Sequence, residues 1–226
     1  MLLVGGFAAI FGLGFVGAAL ALTSKLTPVQ IARQSKVLAI AVAQGPWDTV
    51  VIGDSIVQQS HIESLCGRTL NAGVGGIDAD SAADFAPKLL AITHPKRVIV
   101  AVGANDALRV TDPDVYARNV DRIVRLATDS GAQVTVSEIA PFGAHFAPSL
   151  VAVQPPSAQA VLANAGRRAE ALNARLAHYH PLQMHAALSG PDGKLPEGMS
   201  GDGVHLSPTG YKPWRTQMAK ACSGAV

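Results

Sequence analysis

Short apolar runs alternate along this chain with stretches of helical periodicity, and that alternation fixes the fold class. Continuously apolar, β-branched or alternating runs fall at residues 49–52, 69–72, 97–102 and 133–136, with a weaker fifth at 182–185. Between and around them, helical spacing is expected over 28–44, 56–65, 79–91, 113–128, 157–179 and from Ser207-Pro208 to Cys222. Strands and helices of this length in alternation demand parallel pairing, with helices on both faces of one sheet. The expectation is an α/β domain with a central, mostly parallel five-stranded sheet. In such sheets ligands bind beyond the carboxyl ends of the strands.

Three sequence blocks fall at that edge. Gly53-Asp54-Ser55 directly follows the first run. Asn71-Ala-Gly-Val-Gly-Gly76 closes the second, and Gly103-Ala-Asn105-Asp106 follows the third. A fourth block, Asp202-Gly-Val-His205, lies in a glycine-containing loop before the last helix. Together they carry the parts of an acyl-transfer site. A serine hydroxyl needs a base to take its proton, and histidine suits that task near neutral pH. A carboxylate on the second ring nitrogen fixes the tautomer. Asp202 and His205, three residues apart, can meet in this way, with Ser55 as nucleophile. The oxyanion needs donors: the Ser55 N–H, a bare glycine N–H and the Asn105 amide. Gly76 is the chosen glycine, with Gly73 and Gly75 as rivals. Asp54 is expected to hold the turn through backbone hydrogen bonds rather than to act in chemistry.

These blocks resemble those of the SGNH (GDSL-type) hydrolases, whose name lists Ser, Gly, Asn and His. The matching residues are Ser55, Gly76, Asn105 and His205, and the flank Asp202-Gly-Val-His205-Leu-Ser-Pro-Thr-Gly210-Tyr is also family-like. The resemblance runs from about Asp48 to Cys222. It implies a three-layer α/β/α sandwich of flavodoxin-like type, a Ser-His-Asp mechanism without metal or cofactor, and ester or acetyl substrates. A competing use of the same site passes the acyl group to a sugar hydroxyl of a polysaccharide. A reading from another class makes the domain an accessory subunit of a membrane complex.

Other motifs are weaker. His178, His180 and His185 cluster in sequence without an acid or Cys ligand beside them, and His145 sits in the proline-rich loop at 141–156, where it could line a cleft. The glycines of 71–76 do not keep the spacing of a dinucleotide fingerprint. A net charge of +2, with no Lys/Arg-rich run, argues against nucleic-acid binding.

The N-terminus stands apart. Leu2 to Leu22 carries no charge, and as a helix it would span about 31 Å, close to a bilayer core of about 30 Å. The expected organisation is a transmembrane anchor over 1–24, a linker helix over 25–46 and a hydrolase domain over 47–226. A cleaved signal peptide ending near Ala19-Leu-Ala21 is the alternative, against which stand the missing basic n-region and the length of the apolar run. Small residues four apart (Ala8 and Gly12, Gly14 and Ala18, Gly17 and Ala21) could seat a partner helix in the membrane. Lys25, Arg33 and Lys36 after the anchor would favour a cytoplasmic domain. The two cysteines, Cys66 and Cys222, fit either a disulfide of an exported domain or two separate buried thiols. The balance of these signals favours an extracytoplasmic domain.

Overall fold

The computed structural model describes residues 25–148 and 156–223. The segment read as a membrane anchor lies outside the described residues. Among those described, no helix is long and apolar enough to cross a membrane.

Four strands form the sheet: β1 (Thr49–Gly53), β2 (Thr69–Gly73), β3 (Arg97–Ala101) and β4 (Gln133–Val136). Their order is β2-β1-β3-β4, and every pair is parallel. Side chains alternate between the two faces of a strand. All five residues of β1 are nevertheless buried, as are Val98, Ile99 and Val100 of β3. Both faces of the sheet are therefore covered, which is why these strands are apolar throughout. The register sets Gly53, Gly73 and Ala101 level with one another, so three strands end on one line.

The covering helices are α1 (Pro28–Gln44), α2 (Ser55–Gln58), α3 (Ala79–Thr93), α4 (Ala104–Arg109), α5 (Pro113–Asp129), α6 (Pro156–Ala163), α7 (Ala165–Arg175), α8 (Met184–Leu188) and α9 (Tyr211–Met218). α3 packs against both α1 and α5, and α1 also touches the edge strand β2. α1 has the expected limits. Thr27 accepts from the Gln30 N–H, while the Gln30 side chain accepts from the Thr27 N–H. This reciprocal cap satisfies two donors at the helix start.

The sequence expectations fail in four places, the first two through long-range contacts. The fifth strand is reduced to one parallel bridge, Ser137 to Leu182. Beyond it, the Glu138 carboxylate accepts the His185 N–H at 3.0 Å and turns the chain into α8. The helix expected over 56–65 stops at Gln58, because the Asn71 amide takes the Val57 carbonyl at 2.8 Å. His61 then adopts a left-handed conformation (φ 51°), which no helix continues. The helix expected over 157–179 breaks at Asn164 into α6 and α7, and 177–179 forms a 3₁₀ turn. The last helix starts at Tyr211 rather than Ser207 and tightens into a 3₁₀ turn after Met218.

Cys66 and Cys222 form a disulfide, with Cα atoms 5.2 Å apart. It ties the loop before β2 to the C-terminal turn across 156 positions of sequence. The choice between a disulfide and two thiols, open in the sequence, is thereby decided.

Candidate active site

Ser55 is the first residue of α2, immediately beyond β1. Asp54 before it caps the helix, accepting the Ile56 N–H at 2.9 Å. That carboxyl is 2% exposed. Burial pushes it up to about 6, against the pull of the N–H groups of Ile56 and Ala104. From the far end of the chain, the buried Tyr211 hydroxyl donates to the Ile56 carbonyl at 2.7 Å and locks the turn from the other side. Asp54 thus does what its sequence position foretold: it shapes the turn that presents Ser55.

The loop from 200 to 206 closes over this turn. His205 Nε2 lies 3.0 Å from Ser55 Oγ, and His205 Nδ1 lies 2.6 Å from Asp202 Oδ2. An ionised carboxylate only accepts, so the Nδ1 proton points to Asp202 and leaves Nε2 free to accept from Ser55. Asp202 is held by its own loop: its Oδ1 accepts the N–H groups of Val204 (2.8 Å) and His205 (2.7 Å). Burial pushes the Asp202 carboxyl up, but the hydrogen bonds from His205 and Val204 outweigh it and hold the group below its ordinary value. The three side chains therefore form one unbroken hydrogen-bonded line, able to move a proton from Ser55 to His205.

Opposite this line lies the end of β2. The Gly73 N–H donates to Asn71 Oδ1 at 3.1 Å, and a Cβ on Gly73 would stand 2.2 Å from the Gln58 backbone N. The Gly75 N–H is taken by Gln58 Oε1 at 2.7 Å. Gly76 sits third in a turn closed by Ile77 N–H to the Val74 carbonyl, at φ +73°, a conformation that favours glycine. Its N–H makes no hydrogen bond among the described residues. Of the three candidate glycines, Gly76 is the one whose donor is free. Asn105, on α4, donates one amide proton to the Ile77 carbonyl at 2.9 Å, which ties it to the same turn. Beneath it Asp106 accepts the Ala79 N–H at 3.0 Å, and burial pushes its carboxyl up to about 7.

This geometry can be set beside known proteins. A model of the GDSL-like lipase/acylhydrolase family matches residues 43–212. The chain belongs to that family. Its fold is shared with a GDSL-like lipase of Bacteroides thetaiotaomicron, 19% identical, with a TM-score of 0.69, covering 86% of this chain and 99% of that one. A lipase/acylhydrolase of Enterococcus faecalis is 17% identical, with a TM-score of 0.56 over 79% and 96% of the two chains. An arylesterase of Vibrio mimicus is 33% identical over 70 residues, which are 31% of this chain and 35% of that protein. The match therefore spans about a third of the arylesterase's length.

In this GDSL-family chain, the residues singled out from sequence, Ser55, Asp202, His205, Gly76 and Asn105, meet at one edge of the sheet. The remaining histidines do not join them. His185 faces Glu170 at 3.9 Å and His178 faces Asp121 at 3.8 Å. His145 lines a separate cavity of about 390 Å³ with Phe146, Arg167, Glu170 and Lys194, which neither Ser55 nor His205 borders. Sequence reading missed Gln30, Arg33, Gln58 and Arg109, all of which hold the 71–76 segment by its backbone. One signal was present: Gln30 and Arg33 share the helical stripe that continues as Val37 and Ala41, so polar residues occupy the buried face of α1.

Proposed function

We propose that this chain is a serine esterase that hydrolyses small carboxylic esters, of short acyl or acetyl type, including acetyl groups on glycans. The observation that carries the reading is the Ser55–His205–Asp202 line, at 3.0 and 2.6 Å. Ser55 Oγ attacks the ester carbonyl carbon while His205 Nε2 takes its proton. Asp202 stabilises the imidazolium and holds its orientation. Negative charge gathers on the former carbonyl oxygen, where the N–H groups of Ser55 and Gly76 and the free proton of the Asn105 amide receive it. The tetrahedral adduct collapses, the C–O bond breaks, and His205 returns the proton to the leaving alcohol. Water repeats the sequence on the acyl-enzyme, releases the acid and regenerates Ser55.

The reading also places the domain outside the cytoplasm, held to a membrane by residues 2–22. Its support is the Cys66–Cys222 disulfide, because such bonds persist in oxidising compartments, together with the charge-free N-terminal stretch.

The test is Ser55→Ala on p-nitrophenyl acetate. The expected result is a fall in kcat of at least about 10⁴-fold with folding intact. Undiminished turnover would remove Ser55 from the mechanism.

A further inference from the structure

α1 lies almost wholly before residues 43–212, the span matched by the family model, and Gln30 and Arg33 on its inward side end on the backbone of the 71–76 segment. Gln30 is 7% exposed, and its Nε2 donates to the Gly75 carbonyl at 3.3 Å. One turn further, Arg33 Nε donates to the Gly73 carbonyl at 2.8 Å and its Nη2 to the Asn71 carbonyl at 3.4 Å. Arg33 has no carboxylate partner among the described residues; its charge is spent on these carbonyls, and burial lowers its proton affinity.

The Gly75 carbonyl and the Gly76 N–H belong to one peptide unit. That unit is planar and trans, so its C=O and N–H point in opposite directions. Pinning the carbonyl on Gln30 therefore aims the Gly76 N–H away from α1. A donor on the carbonyl also polarises the unit and makes its N–H a stronger donor. Two further contacts complete the clamp: Gln58 Oε1 on the Gly75 N–H at 2.7 Å and Arg109 Nη2 on the Gly76 carbonyl at 2.8 Å. Gly76 needs such a clamp, because a glycine fixes its own backbone less than any other residue.

We infer that α1 is a positioning element of the active site: Gln30 and Arg33 orient and polarise the peptide whose N–H stabilises the oxyanion. The inference rests on the esterase reading of Ser55. It adds that residues preceding the span matched by the family model tune kcat. Arg33 and Gln30 make no hydrogen bond to Ser55, Asp202 or His205 among the described residues and bond the backbone of 71–75 instead, so their effect passes through the Gly76 peptide.

Gln30→Glu isolates this role. Glu keeps the reciprocal cap with Thr27, which needs only an acceptor at this position, and loses the donor to Gly75. In the full chain, Gln30→Glu and Arg33→Met are each expected to lower kcat for p-nitrophenyl acetate by about tenfold, a fraction of the loss of a whole oxyanion donor. KM stays within about twofold, the mark of an interaction made in the transition state alone. Affinity for a trifluoromethyl ketone, which forms a tetrahedral adduct with the serine, falls by the same factor as kcat. Arg33→Lys recovers part of the loss, since one ammonium reaches one carbonyl. Lys36→Gln, on the exposed side of α1, leaves both readouts unchanged. Should Arg33→Met fail to fold, Gln30→Glu and Arg33→Lys decide. The inference is overturned if kcat and ketone affinity stay at wild-type values in these variants while Ser55→Ala is inactive. A rise in KM alone overturns it as well. Turnover surviving in Ser55→Ala is a separate result, and it would sink the esterase reading together with this one.

Discussion

The two halves of the site are built by different physics. Ser55, Gly76 and Asn105 stand just beyond β1, β2 and β3, whose ends the register holds level. Their places are consequences of the sheet and of the buried residues on both its faces, with the Gly76 turn held in addition by Gln30, Gln58 and Arg109. Asp202 and His205 belong to a loop without a strand beneath it. Their places come from short-range hydrogen bonds: Asp202 Oδ1 to the N–H groups of Val204 and His205, and Ser200 Oγ accepting from the N–H groups of Asp202 (3.3 Å) and Gly203 (2.8 Å). The Gly143 and Ala147 N–H groups fasten this loop to the rest of the domain, on the carbonyls of Gly203 and Asp202. The nucleophile is thus set by the core and the oxyanion turn by side chains clamped on its backbone, while the acid–base loop rests on its own hydrogen bonds and on the buried Val204 and Leu206.

The largest test of this contrast removes the loop's contribution. His205→Ala should lower kcat by about 10⁶-fold, as much as losing Ser55, because the two act as one unit. Thermal unfolding should barely move, since no core residue changes. A large loss of stability would mean that the loop carries the fold as well as the chemistry.

The strand-edge half answers to pH instead. Asp106 accepts the Ala79 N–H at the start of α3, and burial moves its carboxyl from 3.8 to about 7 on folding. The folded protein binds the extra proton, so this contribution is full below about pH 4 and is lost as pH rises through about 7. The span is on the order of 4 kcal/mol. Asp54, pushed up to about 6, adds in the same direction. Urea titrations from pH 4 to 8 should show stability falling with pH, with a smaller slope in Asp106→Asn. An identical slope in that variant would place the burial cost elsewhere.

Within the same half, Asn105→Ala should reduce kcat by about 10²–10³-fold through loss of one oxyanion donor, with little change in KM. A change confined to KM would make Asn105 a substrate contact instead. The smallest effect belongs to the loop's own scaffold. Ser200→Ala removes one acceptor for two N–H groups, worth about 1 kcal/mol, and should lower kcat several-fold. Equal kcat would show that Asp202 orders the loop unaided.

The same contrast explains what the sequence could say. Four strands, α1, α3 and α5 were legible because local periodicity and caps decide them, as Thr27-Pro28 does for α1. The five candidate site residues could be named from the sequence because each lies in a short block whose spacing serves the chemistry. Two of the failures were decided at long range. Asn71 ends α2 at Gln58 from 13 residues away, and Glu138 reaches 47 residues to start α8 where a strand was expected. The short helix α4, which carries Asn105, left no periodic trace. Gly76 was preferred among three glycines from the sequence, and the partners that occupy the Gly73 and Gly75 N–H groups became visible only in the folded chain.

The most direct test of the joined halves is covalent. Treated with a fluorophosphonate, the full chain should gain one adduct, mapped by peptide mass spectrometry to Ser55, and His205→Ala should slow its formation by several orders of magnitude. An adduct on another residue, or labelling of Ser55 at an unchanged rate without His205, would contradict the account.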